Sequence, residues 1–278
     1  MTILEFSAVV AAASLAAGFL GALTGLGGGV VIIPFLTLVF GVDIRYAVGA
    51  SLVSVIATSS GAAAAYLKEG FSNIRIGMFL EIATTLGALG GAFIAGLVEP
   101  RIIAVVFGIA LISSALTGRN AHLAGPAGAL PDPLAARLKM NSSYPTEQGP
   151  VDYVVRSLPS GFGLMSVAGI LSGLLGIGSG ALKVIAMDRI MRLPFKVSTA
   201  TSNFMIGVTA VGSAGVYLHR GYIDPGLTMP VVLGVLAGSL LGSRILKSSE
   251  TQRLRILFAV VIAALGVEMI VHGLTNRF

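Results

Sequence analysis

The second half of this chain repeats the first at a constant separation of 151 residues. Gly18 recurs as Gly169, Gly25 as Gly176, Gly27 as Gly178 and Gly29 as Gly180, and Ser51 recurs as Ser202. The same register pairs Thr58 with Thr209, Gly61 with Gly212, Tyr66-Leu67 with Tyr217-Leu218, Gly70 with Gly221, Gly87 with Gly238, Gly91 with Gly242 and Phe107 with Phe258. A gapless register of this length requires both halves to adopt the same succession of local structures.

Those structures are apolar segments. They fall near 3–23, 30–41, 47–67, 76–98 and 102–117 in the first half, and near 158–175, 181–187, 197–218, 227–246 and 254–273 in the second. Hydrophobic residues make up 55% of the 278 positions and charged residues only 11%, against about 25% charged in soluble domains. The mean hydropathy of +0.93 agrees with a bilayer as the main solvent. Most segments have the length of about 20 residues that a helix needs to cross hydrocarbon. The second and seventh are too short, and each follows a glycine cluster, so they read as broken or re-entrant helical hairpins surrounded by protein or water. The first segment carries Glu5 and lacks a basic flank, so it reads as a membrane helix rather than a cleaved signal.

Five segments per half is an odd number, which turns the second half upside down relative to the first. The expected fold is an all-α polytopic membrane protein of two inverted repeats, 1–117 and 158–278, joined by a 118–157 linker rich in proline and glycine and therefore mostly irregular. Within that linker, 134–140 is the one stretch with helical character. Basic residues sort by side. Lys68, Arg75, Arg119, Arg137, Lys139, Arg156, Arg189, Arg192, Lys196, Arg244, Lys247, Arg253 and Arg255 fall on one side, and only Arg45, Arg101, Arg220 and Arg277 on the other. The positive-inside rule makes the first set cytoplasmic, with the linker inside and both termini outside. The net charge of +6 therefore reports topology, not nucleic acid. With no cysteine and with His122, His219 and His272 at no ligand spacing, no metal site or cofactor is implied. The 37 glycines and absence of tryptophan favour close helix packing and leave small-residue faces on which a homodimer can form.

Inverted repeats with broken helices characterise secondary transporters, whose substrates sit at the repeat interface. The candidate site residues are the glycine clusters, Gly25, Gly27, Gly28 and Gly29 with Gly176, Gly178, Ser179 and Gly180, each opening a short helix. Such turns expose successive N–H groups toward an anion. Lys183 lies about one turn into the second short helix, where its repeat mate is Ile32; an ionisable residue at membrane depth points to function. Ser51, Thr201, Ser202 and Asn203, with Thr58 and Thr209 deeper in the same segments, offer hydroxyls and an amide to replace a substrate's hydration. Glu81, flanked by apolar residues and matched by Val232, is the candidate to carry a coupling proton. Glu268 reads as interfacial.

The two glycine clusters, followed by Ala50-Ser51-Leu52 and Ala200-Thr201-Ser202-Asn203, resemble the TauE/SafE sulfite exporter family, of the 4-toluenesulfonate uptake permease group. The likeness covers both repeats and leaves the linker unmatched. It implies transport of sulfite, organosulfonates or related organic anions across a bacterial inner membrane, with a small anion and the lipid bilayer as partners and no nucleic acid. Ser179 in place of the glycine at Gly28, and Ile185 in place of Pro34, suggest that the two hairpins contribute unequally. The alternatives are an anion channel, which broken helices also suit, and an intramembrane hydrolase built on Ser179 and His272. The latter lacks a nucleophile-base spacing, and Ile177 stands where its motif requires glycine.

Overall fold

The apolar runs become helices nearly residue for residue. In the computed structural model the chain forms α1 (Ile3–Thr24), α2 (Gly29–Phe40), α3 (Ile44–Lys68), α4 (Ile74–Ala95) and α5 (Pro100–Thr117); then α6 (Pro133–Arg137), β1 (Ser142–Thr146) and β2 (Gly149–Tyr153); then α7 (Leu158–Leu175), α8 (Gly180–Ile185), α9 (Phe195–His219), α10 (Pro225–Leu246) and α11 (Thr251–Leu274). The structure describes residues 2–24, 28–68, 70–117, 132–146, 149–246 and 251–275; at 3–4, 20–24, 61–68, 116–117, 181, 242–246 and 251–259 it describes the backbone alone. Gly25, Gly27 and the first part of the linker thus lie outside the described residues. The starts of α2, α3, α4 and α5 recur 151 residues later as the starts of α8, α9, α10 and α11.

The two halves interlock. The first helix of each half packs along the fourth of the other, α1 on α10 and α7 on α4. Glycine permits this approach: a Cβ on Gly18 would strike the backbone of Val235, and one on Gly169 the backbone of Thr84. Likewise Gly238 faces the Leu15 carbonyl and Gly87 the Ser166 carbonyl. Each contact is the other's image at the 151-residue separation, so Gly18, Gly87, Gly169 and Gly238, which recur in the sequence, are contact points of helices from opposite halves. The matched pairs α3 with α9 and α5 with α11 pack directly on one another.

The first turn of α3 lies beside the end of α9. Arg45 donates to the Ala95 and Val98 carbonyls at 3.3 and 2.8 Å, and the rings of Tyr46 and Tyr222 meet edge to face at 5.6 Å. The start of α1 is at this end too, with Phe6 against Phe40 at 5.0 Å, as is the end of α11, where Gly273 abuts Arg101. The linker packs at the opposite end. Outward, α4 presents Met78, Ile82, Leu86 and Phe93, and α10 presents Met229, Leu233 and Leu240, all exposed. In water such stripes would be a liability; in a bilayer they are the lipid face. Among the described residues, α4 and α7 each hold an 18-residue window with mean hydropathy of 1.6, long and apolar enough to cross a membrane.

Two expectations need correction. The linker is not mainly irregular over its described part: β1 and β2 pair antiparallel, with Pro145 opposite Pro150. Proline is compatible with a two-stranded ribbon because its missing N–H can face outward. The seventh segment is longer than hydropathy indicates, because α8 runs on into a π-helical turn, Ala186–Ile190. Asp188 and Arg189 hide that continuation from a hydropathy reading.

Candidate functional site

The turn before α8 is built from residues with positive φ, Gly176 at 67°, Gly178 at 70° and Ser179 at 44°. Glycine takes that conformation freely, whereas a serine there is unusual. In the first half Gly28 takes an ordinary right-handed conformation at φ −67° before Gly29 opens α2. The substitution of Ser179 for Gly28 thus accompanies a real difference in backbone between the two turns.

Ser51 joins the turns. Its hydroxyl donates to the Gly176 carbonyl at 2.9 Å, and it sits so close over Gly29 that any Cβ there would collide with it. Its mate Ser202 donates to the Gly180 carbonyl at 3.3 Å. Gly180 and Gly178 are covered by Ile206. Ser51, Ser202 and Ser179 are all buried, and the Ser179 hydroxyl has no hydrogen-bond partner among the described residues.

Lys183 is completely buried, with 0% exposure. Its backbone N–H closes the first turn of α8 on the Ser179 carbonyl at 3.1 Å, and its ammonium donates to Thr209 Oγ1 on α9 at 2.5 Å. Thr209 Oγ1 lies 2.6 Å from Glu81 Oε1 on α4, and Thr85, one turn further along α4, donates to the same carboxylate oxygen at 2.8 Å. Glu81 Oε2 is buried and without a partner among the described residues. A threonine hydroxyl accepts and donates at once, so Thr209 receives the ammonium and passes a hydrogen bond to the carboxylate. Burial without such partners would be prohibitive for either charge. Snorkelling, the ordinary fate of a membrane lysine, does not occur here.

The remaining expected residues are placed differently. Thr201 is buried but turned toward the linker end, where its hydroxyl accepts from the Asn73 N–H at 3.0 Å. Asn203 is half-buried and donates back to the Thr199 carbonyl of its own helix at 3.1 Å. Thr58 bonds within α3, to Ser54 at 3.0 Å. The structure thus brings together Gly29, Ser51, Gly176, Gly178, Ser179, Gly180, Lys183 and Ser202, with Gly28 packed aside on Val235. Glu81 joins Lys183 rather than a loop base: Arg75 instead donates to the Lys139 carbonyl at 2.8 Å. Glu268 is exposed. Ser179 and His272 share no hydrogen bond.

The role of Thr85 and the bridging position of Thr209 escaped the sequence reading. A signal existed: Lys183 and Glu81 are opposite charges in apolar stretches whose repeat mates, Ile32 and Val232, are both aliphatic.

Interlocked apolar helices enclosing a sealed, oppositely charged pair are the construction of a polytopic membrane transporter. A profile of the sulfite exporter TauE/SafE family matches residues 10–269, and the chain belongs to that family. It is similar to the probable membrane transporter protein YunE of Bacillus subtilis, at 29% identity over 94% of this chain and 96% of the relative. A second Bacillus subtilis protein, the probable membrane transporter protein YdhB, is 25% identical over 82% of this chain and 83% of its own length. A probable membrane transporter protein of Methanocaldococcus jannaschii is 25% identical over 91% of each chain. No solved structure matches the chain.

Proposed function

We propose that this membrane transporter carries a small anion, sulfite, an organosulfonate or a related organic anion, by alternating access between two inverted repeats, and that it does so in a bacterial inner membrane. The observation that carries the reading is the burial of Lys183 beside a turn where the two halves touch, with the Ser179 hydroxyl, unpartnered among the described residues, four residues before it. A sealed cation within a lipid-solvated bundle is costly and gives a desolvated anion the counter-charge it needs. The Ser51 and Ser202 hydroxyls lie at the same place, each donating here to a carbonyl of the Gly176–Gly180 turn and able to turn to an anion once that bond is released. The inverted arrangement is supported by α3 starting where α9 ends and by the exchange of partners between α1–α10 and α7–α4. The burial of Ser51, Ser179, Lys183 and Ser202 fits an occluded state of a carrier. The family's description as sulfite exporters supports the substrate class.

The basic residues gathered at the linker end support an inside linker and outside termini. Labelling of a Ser142→Cys variant from outside sealed cells overturns that orientation; labelling only after permeabilisation agrees with it. The test of function is uptake into liposomes by the purified chain, comparing sulfite, methanesulfonate, sulfate and acetate. Saturable uptake of the first two supports the reading. Transport of none of them removes it, and a current rising linearly with the gradient replaces it with an anion channel.

A further inference from the structure

Glu81, Thr209 and Lys183 form one hydrogen-bonded line across three helices, and every member is at least nine-tenths buried. The line exists in one half only, since the repeat mates are Val232, Thr58 and Ile32. Thr58 has no ion at either side and bonds back into α3 at 3.0 and 3.2 Å. The carboxylate is only half satisfied: Oε1 accepts from Thr209 and Thr85 while buried Oε2 has no partner among the described residues. An acid with one oxygen free of hydrogen bonds can take a proton there without breaking a bond to the protein.

We propose that Glu81 is the internal counter-ion of Lys183, that the substrate anion and Glu81 compete for that ammonium, and that the anion binds as Glu81 takes up one proton. The inference rests on the anion-carrier reading and specifies its coupling. Charge balance gives the stoichiometry. In the empty site the ammonium and the carboxylate cancel. When a monovalent anion enters and one proton from water joins Glu81 Oε2, the ammonium is cancelled by the anion and the acid is neutral. The site is electrically neutral in both states, which is the condition for crossing hydrocarbon cheaply. An anion entering without the proton leaves an uncompensated negative charge in a sealed space. Thr209 serves both states because its hydroxyl accepts from Lys183 throughout and can turn its own proton from Glu81 to the Met205 carbonyl, 2.9 Å away.

Among the described residues, other ionisable groups on the neighbouring elements are engaged elsewhere or distant along the helices. Arg75 on α4 donates to the Lys139 carbonyl, Lys196 on α9 lies over the Phe71 ring at 5.8 Å, and Tyr217 donates to the Leu174 carbonyl at 3.3 Å. His219 ends α9, Asp188 and Arg189 lie on the π-helical turn, Asp188 buried and itself engaged, and α7 carries no ionisable side chain. Thr209 is the residue that bonds to both Lys183 and Glu81.

The experiment uses the full chain in liposomes with a luminal pH dye, and methanesulfonate as the probe, because a sulfonate keeps its single charge at every pH used. Wild type is expected to move one proton with each methanesulfonate, and its affinity is expected to fall by about tenfold per pH unit where Glu81 loses its proton. In Glu81→Gln the anion should no longer move protons at about pH 5 to 6, and its affinity should vary by less than about threefold over that range. Glu81→Asp keeps an acid and should keep proton movement with a displaced pH profile, which separates loss of coupling from loss of fold. Wild-type uptake without proton movement, or proton coupling that survives Glu81→Gln, overturns the inference and leaves the anion carrier standing. Absence of methanesulfonate and sulfite uptake at every pH overturns both.

Discussion

Ser51 on α3 donates its hydroxyl to the Gly176 carbonyl at 2.9 Å, tying the first half of the chain to the turn that opens the second half's short helix. Gly176 is buried, so Ser51→Ala leaves its carbonyl without that partner. The expected cost is about 1–3 kcal/mol, read as a lower thermal midpoint in detergent. Ser60, exposed and bonded only to its own helix at Ile56, is the control, and Ser60→Ala should change stability by less than about 0.5 kcal/mol. Equal midpoints for the two variants would mean that the Ser51 bond contributes nothing.

The recurring glycines at the helix crossings, Gly18, Gly87, Gly169 and Gly238, should be intolerant of even one methyl group. Gly169→Ala drives a Cβ into the Thr84 backbone, and Gly87→Ala drives one into the Ser166 carbonyl, where no flexible side chain can yield. Forcing the α4–α7 pair apart should cost about 1–3 kcal/mol or more. Gly90 lies on the same helix but faces open space, so Gly90→Ala should be neutral or stabilising by up to about 1 kcal/mol, since alanine restricts the unfolded chain. Folded yield by size exclusion and thermal midpoint check both. A Gly169→Ala protein as stable as wild type would show that the helices do not meet there.

Helix bounds were legible because hydropathy and the repeat report on the same thing, the lipid-solvated span; 158–175 was read without error and α3 and α9 within three residues. The 151-residue register also marked the crossing glycines, since a close crossing in one half demands its image in the other. It could not say that Gly18 meets Val235 rather than a helix of its own half, because periodicity carries no information about partners. The Lys183–Thr209–Glu81 line escaped for the opposite reason. It breaks the repeat, and its ends lie on α8 and α4, elements whose adjacency only the interlocked packing creates. Thr201 misled because a buried hydroxyl near a glycine turn looks like a ligand, whereas here it receives the Asn73 N–H.

Asn73 should prove the clasp that holds the linker. Its side chain accepts from the Ile76 N–H at 3.1 Å as the α4 N-cap, and donates to the Met140 carbonyl at 2.9 Å and the Tyr153 hydroxyl at 2.7 Å. Asn73→Ala should cost about 1 kcal/mol through the cap alone and should speed proteolysis of the linker. Tyr153→Phe keeps the cap and should have the milder effect. Burial raises the Tyr153 phenol above its ordinary value of 10.0, against the lowering effect of hydrogen bonds with Asn73 and Ser142. A raised acid is stabilising while neutral in both states, so linker docking should hold up to about pH 10 and weaken above it, as the unfolded phenol ionises first. In Tyr153→Phe that alkaline loss should vanish. An alkaline profile unchanged by the substitution would assign it to another group.

The charge pair itself makes the sharpest stability prediction. Lys183→Met replaces the ammonium by an uncharged chain of similar length and strands the Glu81 carboxylate in a sealed space; Glu81→Gln strands the ammonium. Breaking a buried pair from one side costs about 3–5 kcal/mol, because the survivor keeps its desolvation penalty and loses its compensation. The double variant removes both penalties together. It should therefore be less destabilised than the sum of the singles, with a coupling of about 1–3 kcal/mol from the double-mutant cycle at neutral pH. Thr209→Val supplies the internal check: it leaves both ions in place but deletes the hydroxyl that bonds to each at 2.5 and 2.6 Å, so it should destabilise the wild-type pair and do far less in the double variant. Strict additivity of Lys183→Met and Glu81→Gln would show that the two residues, although joined through one threonine, do not act as each other's counter-ion.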